Sequence, residues 1–501
     1  MIFTNLHLPV LARVKSILPA DSLVYLVGGA VRDLLLNHDS HDLDFVVPEN
    51  AIAISRSVAN ALDGDFFVLD SERNTGRVIL TTNTNERYYL DFATFRGPDL
   101  ESDLRNRDFT INAIAVDIFQ PEALIDPLDG VKDLYAKQLR LCSPTSFADD
   151  PLRILRCIRL AVEFELAILP ETRRLLKKSL GDLAKISPER LRDELFRILQ
   201  SRRPIAALRA LDLLGALEHV LPELSALKGV IQSPPHREDV WSHTLNTAQK
   251  LSDLLTVLQP EHDAEAAANW SLGLVSLRIG RYRQQINAHL SEVQTADRTL
   301  RGLLLLAALY HDAGKPGTQH VDQDGKISYS EHDQLGAQLA YHRCARLHLS
   351  NIEMDRVATI IRHHMRPLWL AQSGETPSRR AIYRYFRDTG AAGVDICLLS
   401  LADTLATYGV ELPQEIWTRQ LEITRTLMEA WWEKASEKVS PPALLNGRDL
   451  METFNLSPGP QIGQLLEEVR EAQASGVVNE RNQALEFVRD RLGKDASRAD
   501  G

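Results

Sequence analysis

LVGGAVRD at 26–33, followed shortly by HDLDFVV at 41–47, decides how the first part of this chain is read. An apolar run that ends in Gly28-Gly29 and leads into Ala30-Val31-Arg32 reads as a strand turning sharply into a helix. At such a turn backbone N–H groups can approach a phosphate, and Arg32, one helical turn in, reaches toward the same anion. A tight turn alone explains the glycine pair as well. In the second stretch Asp42 and Asp44 stand at i and i+2 of an extended segment, so their carboxylates emerge on one side. Two carboxylates held together repel unless a cation lies between them. Mg²⁺ takes hard oxygen ligands and shares them with substrate phosphates. The apolar Phe45-Val46-Val47 that follows fits poorly with the alternative of two exposed loop aspartates.

Working outward, YYLDFATFR (88–96) offers Asp91 as a third carboxylate on a neighbouring strand, with a surface aspartate as the alternative. In DLRNRDFTINAIAVD (103–117) a helix is expected to begin at Arg107 and Asp108, with Asn112 four residues beyond. Arg107 suits the oxygens of a triphosphate and Asp108 a ribose hydroxyl, while a structural Arg–Asp pair is the competing reading. Strand-like runs at 23–27, 42–47, 78–82 and 88–95 alternate with helical stretches, so residues 22–140 read as α/β. From 150 to 221 the pattern is helical, broken at Pro170, Pro188 and Pro204. Residues 151–203 hold 13 Lys/Arg against 7 Asp/Glu, a basic stripe on a chain whose formal net charge is −11. Ser233-Pro234-Pro235 marks a boundary, the segment 259–298 reads as an insertion of helices or a mobile connection, and KDASRADG (494–501) reads as a frayed end.

Composition bounds the rest. The chain has 501 residues, 44 % hydrophobic and 25 % charged, with 26 glycines and 23 prolines, which excludes collagenous, low-complexity and wholly disordered classes. At roughly 150 residues per domain, three to four domains are expected. The apolar runs are broken by charge short of the roughly 18–20 residues of a spanning helix. The first residues lack a secretory pattern, so a cytoplasmic protein with no membrane partner is expected. Cys142, Cys157, Cys344 and Cys397 show no CxxC spacing, against a disulfide framework or a thiolate zinc site.

GGAVRD, the Asp42/Asp44 pair, RDFTINA, IDPLDG (125–130), DDPLRILRCIRLA (149–161) and SPERLRDEL (187–195) occur in the order of the bacterial tRNA nucleotidyltransferase and poly(A) polymerase family, class II CCA-adding type, which the chain resembles closely over 22–230. Residues 444–476 look like that family's carboxy-terminal segment. The resemblance implies an α+β fold: a polymerase-β-like nucleotidyltransferase head (mixed sheet with helices), then all-helical neck, HD and tail domains. The implied boundaries are 1–145 for the head, 146–232 for a neck that binds RNA and nucleotide, 233–412 for an HD domain and 413–501 for a tail that contacts tRNA. It implies Mg²⁺ in the head with Asp42, Asp44 and Asp91 catalytic, CTP and ATP as nucleotides and tRNA as partner. Gly28, Gly29, Arg32, Arg107, Asp108 and Asn112 are the nucleotide-binding set that accompanies them. The family's nucleotide-selecting motif maps onto Asp149, Asp150 and Arg153. Its chemistry also stands alone: cytosine and adenine each present an amine donor beside a ring-nitrogen acceptor, which an aspartate and an arginine can match. Asp150 and Arg153 are i and i+3, neighbours if both lie on one helix face, and Arg156 and Arg159 continue that face toward phosphates or RNA. The bland alternative is that Asp150 caps the helix. Two departures stand out. Asn106 occupies a position where the family commonly has arginine, with Arg105 a possible substitute. Only 97–102 separate TFR from DLRNRD, a short connection that resembles the members adding just the two cytidines.

His243, His311-Asp312, His332, His363-His364 and Asp403 form a second ordered set. Single histidines are more often structural than ligands, yet LYHDAGKPG (309–317) is distinctive. It resembles the HD phosphohydrolase superfamily, which implies His243, His311, Asp312 and Asp403 as ligands of Mn, Ni, Fe or Zn. His332 and His364 then stand for a second metal or for phosphate contact, and Lys315 for charge on the leaving phosphate. Three readings follow: a template-independent transferase adding C and/or A to the tRNA 3′ end, with poly(A) synthesis as its near alternative; a metal-dependent phosphohydrolase on nucleotides or 2′,3′-cyclic RNA ends with the head as sensor; and a non-catalytic RNA-binding module.

Overall fold

The alternation between 22 and 140 folds into one seven-stranded sheet. The computed structural model describes residues 9–82, 86–261 and 269–499, in two units, Met1–Val220 and Leu221–Gly501. In the first unit β1 (Tyr25–Val27), β2 (Asp42–Val47), β3 (Asp65–Asp70), β4 (Thr75–Thr81), β5 (Arg87–Thr94), β6 (Ala115–Asp117) and β7 (Leu124–Ile125) lie in the order β3-β4-β5-β2-β1-β6-β7. Only β2 and β5 pair in parallel, so the sheet is mixed. Along β2 the pleat sends Leu43 and Phe45 into the core and leaves Asp42 and Asp44 on the open face. Phe45 stacks on Phe92 of β5 at 4.7 Å, which pins the register and hence the position of both aspartates.

The helix expected from Arg107 is not there. A helix at Leu100–Arg105 ends at Asn106, a single 3₁₀ turn spans Thr110–Asn112, and the chain enters β6. The β-branched and apolar residues 114–116 favour a strand, and β1 offers them an edge. Helices Arg153–Glu163, Pro188–Leu199 and Pro204–Leu214 follow, each of the last two opening on its proline. Gln138–Leu139 and Ala167–Ile168 make a short parallel pair among them.

The second unit is helical apart from two small hairpins, Val293–Thr295 with Arg298–Thr299 and Gln319–Val321 with Ile327–Tyr329. Its centre is built on Val240–Val257, Leu300–Tyr310, Asn351–His363 and Ala392–Tyr408. The stretch Ala392–Glu411 is long and apolar enough to cross a membrane, contrary to the expectation that charge interrupts every such run, but 67 % of its apolar window is buried inside the protein. It is a core helix carrying Asp395 and Asp403 inward. The described part of 259–298 is ordered: helices Trp270–Ile279 and Arg283–Ser291 are tied down where Trp417 donates its indole N–H to the Ser271 carbonyl (3.1 Å) and Tyr282 meets Trp432. Residues 262–268 of that segment lie outside the described residues. Leu445, Leu450, Leu465, Val469 and Val488 form a separate small core for the last three helices, and the final one runs through to Ala499 rather than fraying from 494; Asp500 and Gly501 lie outside the described residues.

Candidate functional site

Register assembles the first site. Asp44 of β2 lies opposite Val27 of β1 and beside Asp91 of β5, and Asp91 faces Arg77 of β4. Asp44, Asp91, Gly28 and Gly29 line a cavity of about 990 Å³. Gly28 has φ 73°, and a Cβ there would stand 3.1 Å from Arg107 Nη1, so both backbone and space require glycine. Asp44 opens onto the cavity, yet the protein around it pushes its carboxyl above the usual carboxylate range. Arg107 and Arg156 pull against that, and Asp91 and Asp42 add to it. A carboxylate reachable by solvent but ringed by protein and by like charge fits a divalent cation. Asp42 shares the face and adds its charge but does not line the cavity. Asp91 is placed as expected, but both its oxygens accept from Arg77 at 2.7 Å, so it meets Asp44 as half of an ion pair.

The cationic wall differs from the expected one. Arg107 is present, anchored at 3.0 Å on Asp103. Arg96, at the end of YYLDFATFR, was not foreseen. It lines the same cavity, and burial, with Arg107 and Arg153 nearby, lowers its pKa. Arginines crowded until one is destabilised make a receptor for a polyanion. Arg105, the possible substitute for Asn106, instead bonds Glu101 and lies off the cavity. Arg32 does not line the cavity: it is 7 % exposed, bonded to Asp33 and to Asn112 Oδ1 (2.8 Å), and stacked on Phe164. Asn112 donates to Asp108 Oδ1 (3.1 Å), whose other oxygen accepts from Arg156 (2.9 Å). Arg32, Asn112, Asp108 and Arg156 thus form one buried chain supporting the cavity floor. Arg159 points elsewhere, to Glu194 (2.7 Å) and Glu163 (3.1 Å).

Burial alone would raise the Asp108 carboxyl; Arg156 and donors from Asn112 and the Phe109 N–H outweigh it and hold it at about 2. Because that lies below the ordinary 3.8, the carboxylate stabilises the fold above pH 4 and the contribution fades as pH falls toward 2. Asp108→Asn is expected to cost about 2 kcal/mol at pH 7 and almost nothing near pH 2, read by urea unfolding across pH.

Pro151 and Leu152 separate Asp150 from the long helix. Asp150 ends the short turn Ser146–Asp149, and the helix begins at Arg153. Its Oδ1 accepts from the Leu152 N–H at 3.2 Å and its Oδ2 from Arg190 at 2.7 Å. Arg153 bonds Ser146 and the Asn106 carbonyl. Asp149, Asp150, Arg153 and Arg156 all line the cavity, as do Arg190 and Arg197, which sequence reasoning missed although SPERLRDEL contains the first of them.

The second site draws on five helices, Val240–Val257, Leu300–Tyr310, His332–Arg346, Asn351–His363 and Ala392–Tyr408. His243 Nε2 lies 3.0 Å from Asp403 and 3.6 Å from Asp312 Oδ2; His311 Nε2 lies 3.3 Å from that oxygen, and His332 Nε2 lies 3.6 Å from Asp312 Oδ1. His311, His332 and His364 each bond through Nδ1 to the carbonyl three residues earlier, at 2.8, 2.7 and 2.6 Å. Carbonyls only accept, so each Nδ1 carries a proton and Nε2 is the ring atom turned inward. Those three Nε2 atoms are buried without a hydrogen-bond partner among the described residues. Imidazole nitrogens gathered with carboxylates in the interior are a ligand set for a cation, and two of the groups they form share Asp312. Burial pulls His364 down to about 3, with His311 and His332 adding to the shift. Asp312 is held well below the carboxylate range, where His311 and Lys315 outweigh burial, and Lys315 donates to it at 2.6 Å. His236, which the boundary reading of Ser233-Pro234-Pro235 hid, joins the His243–Asp403 side.

Four family models match the chain: "Poly A polymerase head domain" at 24–140, a probable RNA and SrmB binding site of polymerase A at 165–228, "HD domain" at 240–407 and tRNA nucleotidyltransferase domain 2 at 422–488. The A-adding tRNA nucleotidyltransferase of Deinococcus radiodurans is 32 % identical over 92 % of this chain and 94 % of its own. The CC-adding tRNA nucleotidyltransferase of Thermus thermophilus is 31 % identical over 92 % of each. A solved CCA-adding enzyme with ATP shares the fold at TM-score 0.58 and 22 % identity, over 96 % of this chain and 94 % of that one. The chain belongs to the tRNA nucleotidyltransferase and poly(A) polymerase family.

Proposed function

We propose that this chain adds C, A or both to the 3′ end of tRNA from CTP and ATP, without a nucleic-acid template. The observation that carries the reading is the cavity in which Asp44 faces Arg96 and Arg107. Arg96 and Arg107 bind the β and γ phosphates, and Gly28 lets the α phosphate come close to the β1 turn. Asp42 and Asp44 would hold Mg²⁺, which would supply positive charge to activate the RNA hydroxyl and steady the departing pyrophosphate. The 3′ oxygen bonds to the α phosphorus, the bond to the β-phosphate oxygen breaks, and pyrophosphate leaves. Asp91, tied to Arg77, acts through its charge on Asp44. The neck and the tail recognise the acceptor arm through phosphates and 2′-hydroxyls.

Asp150 and Arg153 choose the base. Arg190 occupies one Asp150 oxygen at 2.7 Å, so the incoming amine takes its place. Asp150→Ala with Arg153→Ala is expected to reduce discrimination against UTP and GTP by about ten- to a hundredfold, measured by competing nucleotides on one tRNA. Unchanged discrimination removes the template role. The whole reading is tested by supplying each nucleotide singly to tRNA transcripts that lack the last one, two or three residues of the CCA end. Product length also separates this reading from poly(A) synthesis.

A second reading rests on the three orphaned Nε2 atoms and the ligand sets around Asp312. The second unit is a phosphohydrolase on phosphate esters that holds a divalent transition metal such as Mn, Ni, Fe or Zn at His243, His311, Asp312 and Asp403, and at His332 and His364. A metal held by these residues would supply a bound water of lowered pKa and polarise the phosphate. Lys315 steadies Asp312 and the phosphate charge.

A further inference from the structure

The sheet face that carries Asp42 and Asp44 continues past the cavity, and its outer part has no role in the reading above. Register places Phe67 of β3, Arg77 of β4, Asp91 of β5 and Asp44 of β2 in one row across four strands. The next row holds Asp65, Ile79, Tyr89 and Asp42. Residues directly opposite one another in a sheet share a face, so both rows stand on one side. Leu43, Phe45, Val78, Leu80, Leu90 and Phe92 alternate with them and are buried on the other. Asp42, Asp65 and Phe67 are exposed, and Ile79 and Tyr89 half-buried, so among the described residues this face is open to solvent. Along β5 it reads Asp91, Tyr89, Arg87, each about 7 Å from the next. Arg77 holds the middle one in place. It grips both oxygens of Asp91 at 2.7 Å and sets its guanidinium 5.4 Å from the centre of the Tyr89 ring. Arg87 is exposed, and its guanidinium has no ion pair or hydrogen bond among the described residues.

In-line geometry says which reactant lies here. In phosphoryl transfer the attacking and leaving oxygens stand on opposite sides of the phosphorus. Arg96, Arg107 and Asp44 line the cavity that takes the nucleotide and its departing pyrophosphate, whereas Asp42, Tyr89 and Arg87 lie off it. The attacking strand therefore approaches from the Asp42 side, over Tyr89. We propose that Tyr89 and Arg87 seat the single-stranded 3′ end of the RNA, its terminal base stacked on the Tyr89 ring and the preceding phosphate paired with Arg87. The inference rests on the transferase reading of the cavity. An aromatic ring followed by a cation is the combination that holds a single strand without reading its sequence. That tolerance suits an end whose last base changes with each addition. Arg77 is a positioning residue for the ring.

The test compares two tRNA transcripts, one ending in the first C of the CCA end and one trimmed to the acceptor helix. Binding to the full chain is read by gel shift without added Mg²⁺. KM is read for the transcript that wild type extends and for the nucleotide that it adds. Tyr89→Ala is expected to weaken binding of the first transcript about tenfold and of the trimmed one less than about twofold, and Tyr89→Phe to recover most of the loss. KM for tRNA is expected to rise with that loss in Tyr89→Ala, while KM for the nucleotide stays within about twofold. Arg87→Ala, at an exposed position, is expected to lower the log–log salt slope of binding by about 0.7, the share of one single-strand phosphate. Equal losses on the two transcripts overturn the proposal, and so does a KM for nucleotide that rises with that for tRNA. If Tyr89→Ala melts well below wild type, the Arg87→Ala slope decides alone, and an unchanged slope overturns the proposal. If wild type adds no nucleotide but its hold on the single-stranded end depends on Tyr89, the seat stands and the transferase reading falls. If it adds nucleotide with no dependence on Tyr89 or Arg87, the reverse holds.

Discussion

Asp44→Asn is expected to cut nucleotide incorporation into a tRNA lacking its 3′ end about 10³-fold, equivalent to about 4 kcal/mol of transition-state stabilisation. The same variant is expected to melt no lower than wild type. Both halves come from one observation. Asp44 sits where surrounding protein and the charges of Asp91 and Asp42 disfavour its ionised form, against Arg107 and Arg156. An ionised carboxylate kept there without a counter-cation is a cost to the folded chain, and the neutral amide removes it. What the amide cannot do is hold a hard cation against phosphate oxygens. Asp91→Asn is expected to fall by only about tenfold, since Asp91 is already neutralised by Arg77 and reaches the site through Asp44. Incorporation by the two variants on CTP and ATP, beside thermal melts followed by circular dichroism, separates chemistry from folding. Normal incorporation by Asp44→Asn ends the transferase proposal, and a loss matched by unfolding ends the argument about charge.

The Asp42/Asp44 pair was legible because a strand has a strict two-residue period, and the flanking Phe45-Val46-Val47 says which side is core. Asp91 was legible as a neighbour but not as a partner of Arg77. That pairing depends on β4 lying antiparallel beside β5, a cross-strand register that local pattern does not contain. Arg32 illustrates the opposite failure. One turn into a helix it has the reach for a phosphate, but Phe164 and Asn112, far along the chain, turn it inward. Arg96 carried no local signal beyond being an arginine, Arg190 none beyond its place in SPERLRDEL, and only the assembled cavity shows them facing the same space. The helix expected from Arg107 failed because a favourable apolar spacing was overridden by the free edge of β1. His236 was lost to the opposite bias, since Pro-Pro reads as a linker although its next residue closes a ligand set.

Asp312→Ala is expected to strip the second unit of its metal, abolish phosphate release to at least 10³-fold below wild type, and leave incorporation into tRNA within about twofold. Asp312 is chosen over any histidine because its two oxygens face different groups, Oδ2 toward His243 and His311 and Oδ1 toward His332. Losing one imidazole leaves each centre with other ligands, whereas losing this carboxylate removes the anion that both share. With alanine there the rings of His311, His332 and His364 keep their Nδ1 bonds to backbone carbonyls, so the bundle retains its packing. Lys315 loses its carboxylate but keeps Gln232 at 2.6 Å, so the buried ammonium is not abandoned. Metal content by plasma mass spectrometry on gel-filtered protein, phosphate release, and CTP incorporation are measured on the same preparation. Full metal occupancy in the variant sinks the shared-carboxylate arrangement. Metal lost with phosphate release intact sinks the hydrolytic reading instead, and a parallel fall in incorporation means that the chain has unfolded rather than lost a site.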